Sequence, residues 1–67
     1  MVKVQNSVME GLEACRDSGE HNMFDRHGVI HWLNDNGYYD AALWVLNNKS
    51  LYTEGVFTGF EGENNDQ

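Results

Sequence analysis

His27 and His31, four residues apart, are the first pair in this chain whose types and spacing suit chemistry. On a helix they share a face, and two imidazole nitrogens one turn apart can hold zinc together. The spacing is that of the His-x-x-x-His frame of zinc peptidases, but Gly28 stands where a general-base glutamate belongs, which removes the protease reading. A closed tetrahedral site needs more ligands, for which His21 and Asp35 are candidates, and the pair falls on the polar side of its segment, where surface histidines are ordinary. His27 and His31 are therefore weak metal candidates, and no cofactor is expected. The single cysteine, Cys15, falls on an apolar stripe, where a thiol without a cationic neighbour stays protonated and inert. It reads as a core residue. Glu10, Glu13 and Asp17 make a solvated helix face more readily than an acid–base pair, and there is no glycine-rich phosphate loop. An enzyme is not expected.

The aromatic residues are more informative. Trp44 projects nearly opposite the face defined by Ala42, Val45 and Leu46, and Trp32 lies to one side of Val29, Ile30 and Leu33. If both segments pack by those aliphatic faces, indole surface is left at the edge or outside, and exposed tryptophan is enriched at binding hot spots. Tyr38, Tyr39 and Phe60 would complete such a partner-binding patch. The competing reading is that the first or last helix covers that second face.

The elements that must position these residues are short and helical. Val4, Val8, Gly11, Leu12 and Cys15 form one stripe of an amphipathic helix of about 14 residues, ended at Gly19. A polar connector, Glu20 to Phe24, leads to Asp25, whose carboxylate can cap a helix beginning at Arg26, with Met23 or Phe24 as its hydrophobic staple. That helix should end near Asn36, where Asn-Gly tolerates the left-handed conformation. Asp40 can cap the next helix, which Asn47 and Asn48 stop. A fourth, from about Ser50 to Phe57, is preferred over an extended segment because a lone strand would have no partner. Glu61 to Gln67 holds only Glu, Gly, Asn, Asp and Gln and should be a frayed, disordered acidic tail. The expected architecture is all-α: a compact bundle of three to four short helices over residues 1–60, followed by the tail, 61–67.

With 67 residues there is room for one modest core, a size at which stability alone is marginal and self-association as a homo-oligomer would help. Eleven acidic residues against four basic ones give a formal charge of −7, which repels phosphates and anionic membranes and argues against direct nucleic-acid binding. Solubility is the plain reading of that acid; mimicry of a polyanion in the groove of a nucleic-acid-binding protein is the sharper one. No apolar run approaches the roughly 20 residues that span a bilayer, and no signal-peptide core follows Met1. A soluble protein is expected, and because Cys15 has no partner for an intramolecular disulfide the chain reads as intracellular or indifferent to redox state.

The run Asp17-Ser-Gly-Glu-His-Asn-Met-Phe-Asp25, then Leu33-Asn-Asp-Asn-Gly-Tyr-Tyr39, then Lys49-Ser-Leu-Tyr-Thr-Glu-Gly-Val-Phe-Thr-Gly59, resembles domain-of-unknown-function family 5049, whose members are short proteins of tailed phages and prophages. The resemblance covers Val8 to about Gly59. It departs from the family pattern at His27-Gly28, where good helix formers are usual, and at Tyr38, where phenylalanine is common. The resemblance implies a phage setting, hence the host cytoplasm with virion association as an option, and no catalytic residues. Asn36-Gly-Tyr-Tyr-Asp-Ala-Ala-Leu43 is also similar to the corner of a tetratricopeptide repeat, and Leu33-Asn-Asp-Asn-Gly-Tyr38 to the loop of ubiquitin-associated domains; both are binding modules, and neither match is long enough to identify one. The expected function is protein–protein contact that inhibits or redirects a host defence or nucleic-acid-handling protein. The alternatives are a phage assembly component or homo-oligomeric scaffold, and a small-ligand or metal-binding protein.

Overall fold

A computed structural model describes residues 1–63. The chain runs β1 (Val2–Gln5), α1 (Asn6–Ser18), α2 (Arg26–Asp35), α3 (Tyr39–Asn47), α4 (Lys49–Thr58) and β2 (Phe60–Glu63). Among the described residues, four helices are joined by a two-stranded parallel sheet in which β1 and β2 pair, Val2 with Phe60 and Gln5 with Glu63. The fold is mostly helical but α/β, which corrects the all-α expectation. Val4 belongs to β1, not to the α1 stripe: Val2 and Val4 point inward while Lys3 and Gln5 point out, the alternation of a strand. Glu61 to Glu63 likewise lie in β2 instead of a frayed tail; the remainder of that expected tail, 64–67, lies outside the described residues.

Helix α1 buries Val8, Gly11, Leu12 and Cys15 and ends at Gly19, whose φ of 69° is the left-handed cap. Asp25 accepts from the Gly28 backbone N–H at 3.2 Å and so starts α2. Of the two staple candidates, Met23 packs on the core cluster that includes Val29, while Phe24 is exposed and meets Phe57 edge-on at 5.0 Å. At this same end of α2, the Arg26 guanidinium donates to the Val45 carbonyl at 3.1 Å. It satisfies an acceptor that the last turn of α3 leaves open and places a cation at the negative end of its dipole. Asp40 is in the first turn of α3 and not at its cap, a position held by Tyr38 with no side-chain bond. Ser50 likewise lies inside α4, preceded by Asn48.

The inner face of α3 is Ala41, Ala42 and Val45, and Leu46 is exposed, contrary to the face read from sequence. The reason lies across the interface. Where α1 crosses α3, a Cβ on Gly11 would sit 2.6 Å from the Cβ of Ala41 and 3.0 Å from that of Tyr38, so only small residues fit between the two backbones. Alanines go inward and the leucines are turned out.

Tyr52 of α4 is fully buried and closes the core beneath Phe60, its ring 5.8 Å from that of Phe60. Its hydroxyl donates to the Met23 carbonyl and thereby ties α4 to the connector before α2. Burial, with smaller contributions from Cys15 and Asp25, pushes its pKa up to about 12 from 10. The folded state therefore holds this proton where the unfolded chain has lost it, so the contribution is complete below pH 10 and disappears as pH rises through 12. Urea unfolding from pH 8 to 12 should show stability falling above pH 10, and a markedly shallower fall in Tyr52→Phe; equal slopes would contradict this account.

Candidate functional site

The five aromatic residues singled out from sequence fall into two packed pairs and one free ring. Trp32 and Tyr38 are half-buried and stacked, centroids 6.0 Å apart and planes 8° from parallel. Their pairing follows from how α2 ends. Gly37 takes φ 85°, the Tyr38 N–H donates to the Leu33 carbonyl at 2.8 Å and the Gly37 N–H to that of Asn34 at 3.2 Å. This is a Schellman closure, in which an apolar contact between the residue after the glycine and the last turn of the helix is usual. Trp32 and Tyr38 make that contact. Trp44 and Phe60, also half-buried, meet edge-to-face at 6.1 Å, which brings the first residue of β2 against the indole. Tyr39 is 67% exposed.

Tyr39 does not stand alone. Leu43 and Leu46, 59% and 55% exposed, follow it at helical spacing, so one outward stripe of α3 reads Tyr39, Leu43, Leu46. Against α2 it forms a shallow groove whose other walls are Ile30, Asn34 and Ala42, and among the described residues no charged side chain lines it. Periodicity could not find this stripe, because Ala41 to Leu46 is an unbroken apolar run in which every face looks buried. A second exposed pair, Phe24 and Phe57, lies elsewhere. Between α1 and α4 there is also a cleft of about 130 Å³, floored by Met9, Leu12 and Val56, with Glu13 and Arg16 at its rim.

His27 and His31 are both exposed, and among the described residues no three His, Cys, Asp or Glu side chains come together. Neither His21 nor Asp35 completes the site proposed for them. His21 instead packs beside Gly28: a Cβ there would approach His21 Nδ1 to 3.0 Å and collide with the Asp25 capping carboxylate. The glycine that departs from the usual helix formers thus makes room for the cap. Cys15 is fully buried, and burial, followed by the Glu20 charge, pushes its thiol pKa up. Such a thiol is a poor nucleophile. Among the described residues no helix is long and apolar enough to cross a membrane.

A family model described as "Domain of unknown function (DUF5049)" matches residues 4–60. That span reaches beyond the stretch carrying the resemblance at both ends, taking in Val4 of β1 and Phe60 of β2. No curated protein and no solved structure matches the chain.

Proposed function

This chain belongs to the DUF5049 family, which brings no activity with it, and we propose from its own surface that it is a non-enzymatic protein-binding module. The observation that supports this reading is the outward stripe of α3, where one aromatic and two leucines are exposed in a row while alanines face the core. A contiguous apolar patch on a small acidic protein is the usual mark of a protein contact, with a tyrosine as natural anchor. The charge of −7 disfavours nucleic acid and anionic lipid as partners. In the phage setting that the family resemblance implies, the partner is a host protein that the module inhibits or redirects. Assembly with other phage proteins is the second reading, favoured by the absence of charge along the stripe.

The test is capture from host lysate with the parent, Leu43→Asp, Phe57→Ser and Trp44→Ala. A protein held by the parent and by Phe57→Ser, and reduced at least tenfold by Leu43→Asp, is the expected result, since a carboxylate in an apolar contact is left unpaired. Equal recovery with Leu43→Asp and Phe57→Ser would remove the stripe from consideration. Loss with Trp44→Ala in a chain that keeps its helical circular dichroism would bring the indole into the contact.

A further inference from the structure

We propose that Asn36 is a site of spontaneous covalent modification, deamidation through the Gly37 backbone nitrogen, which the folded α2–α3 corner restrains and whose products undo that corner. Asn36 is the one asparagine of the chain that glycine follows. Without a Cβ, the glycine leaves the approach to its own nitrogen unobstructed. Both residues are exposed, and a Cβ built on Gly37 would meet no atom within 4 Å, so solvent reaches the corner. The site is independent of whatever the α3 stripe binds.

The reaction needs only water. The Gly37 N–H gives its proton to solvent base, the nitrogen lone pair forms a bond to Asn36 Cγ, and the Cγ–Nδ2 bond breaks, with Nδ2 taking a proton from water and leaving as ammonia. A five-membered imide results. Water then opens it: cleavage of the new nitrogen–Cγ bond yields aspartate, and cleavage of the original peptide bond yields isoaspartate, whose backbone runs through Cγ. Nothing is oxidised or reduced. The native corner holds both reacting groups. Asn36 Nδ2 donates to the Trp32 carbonyl at 2.8 Å, and the Gly37 N–H donates to the Asn34 carbonyl at 3.2 Å. Each must leave its acceptor before nitrogen and carbon can meet, so conversion proceeds from molecules in which the last turn of α2 has opened.

The products do not restore what they replace. An aspartate sets a carboxylate oxygen where Nδ2 donated, acceptor against the Trp32 carbonyl, and puts a negative charge at the negative end of the α2 dipole. Isoaspartate adds a methylene to the backbone just before Gly37. That takes the Gly37 and Tyr38 N–H groups out of register with the Asn34 and Leu33 carbonyls, and with them the stack of Tyr38 on Trp32.

Peptide mapping by mass spectrometry tests this on the full chain, aged at mildly alkaline pH both folded and in urea. Conversion at Asn36 should run at least about tenfold faster in urea, with isoaspartate among the products. Equal rates in the two states would overturn the restraint by the corner, and an Asn36 that stays intact in urea would overturn the site itself. Asn36→Gln must close a six-membered ring, so modification there should fall by more than about tenfold; an unchanged rate would mean direct hydrolysis and exclude attack by Gly37. Asn36→Asp, made directly, should unfold at lower urea than the parent and exchange its Tyr38 amide hydrogen faster. A midpoint and an exchange rate equal to the parent's would show that the products leave the corner whole.

Discussion

Tyr52→Ala should lower the free energy of unfolding by about 3–5 kcal/mol, the range for deleting a buried aromatic ring. A domain of this length holds roughly 3–10 kcal/mol in all, so most of its stability is at stake. The ring lies under Phe60 and closes the side of the core where β2 arrives, and the hydroxyl holds the connector before α2 through the Met23 carbonyl. The two contributions separate by substitution. Tyr52→Phe keeps the ring and should cost about 1–3 kcal/mol, because the Met23 carbonyl loses its partner. Urea unfolding followed by circular dichroism reads both, and a Tyr52→Ala variant with an unchanged midpoint would show that α4 and β2 do not depend on this residue.

Gly11→Ala should destabilise by about 1–3 kcal/mol, against the sign expected of a glycine-to-alanine change within a helix. At an open helical site the change gains about 1 kcal/mol. Here the new methyl meets Ala41 Cβ at 2.6 Å, and because that atom is fixed to the α3 backbone the helices themselves must separate. The pair Gly11→Ala with Ala41→Gly returns the lost volume on the other side of the interface. It should be more stable than the sum of the two single changes predicts, a coupling that only direct contact produces. Additive effects in the double variant, or a more stable Gly11→Ala, would disprove the close crossing of α1 and α3.

Much of the helical frame was legible because its punctuation is chemical. Asp25, Gly19 and Gly37 each do what their side chain or their lack of one allows, and α2 and α4 fall within a residue or two of the segments read from sequence. The sheet was not legible for two reasons. Val2-Lys3-Val4-Gln5 alternates like a strand, but Val4 is also four residues before Val8 and so fits a helical stripe equally well. Phe60-Glu-Gly-Glu63 has a single apolar side chain, and its partner is the other end of the chain, which no local window can see. The candidate surface was half legible. Tyr39 stands out as an aromatic, whereas the sequence gives Leu43 no mark of exposure and places Leu46 on the inner face, because the choice of face on α3 is made by Gly11 on a different helix.

The pairing of β1 with β2 sets an order of events during synthesis. The Val2 N–H bonds to the Gly59 carbonyl, and Trp44 and Tyr52 wait for Phe60 to cover them. A nascent chain cannot close this contact until residue 63 has cleared the ribosomal tunnel, so the four helices must emerge with their seam open and zip only after translation has passed them.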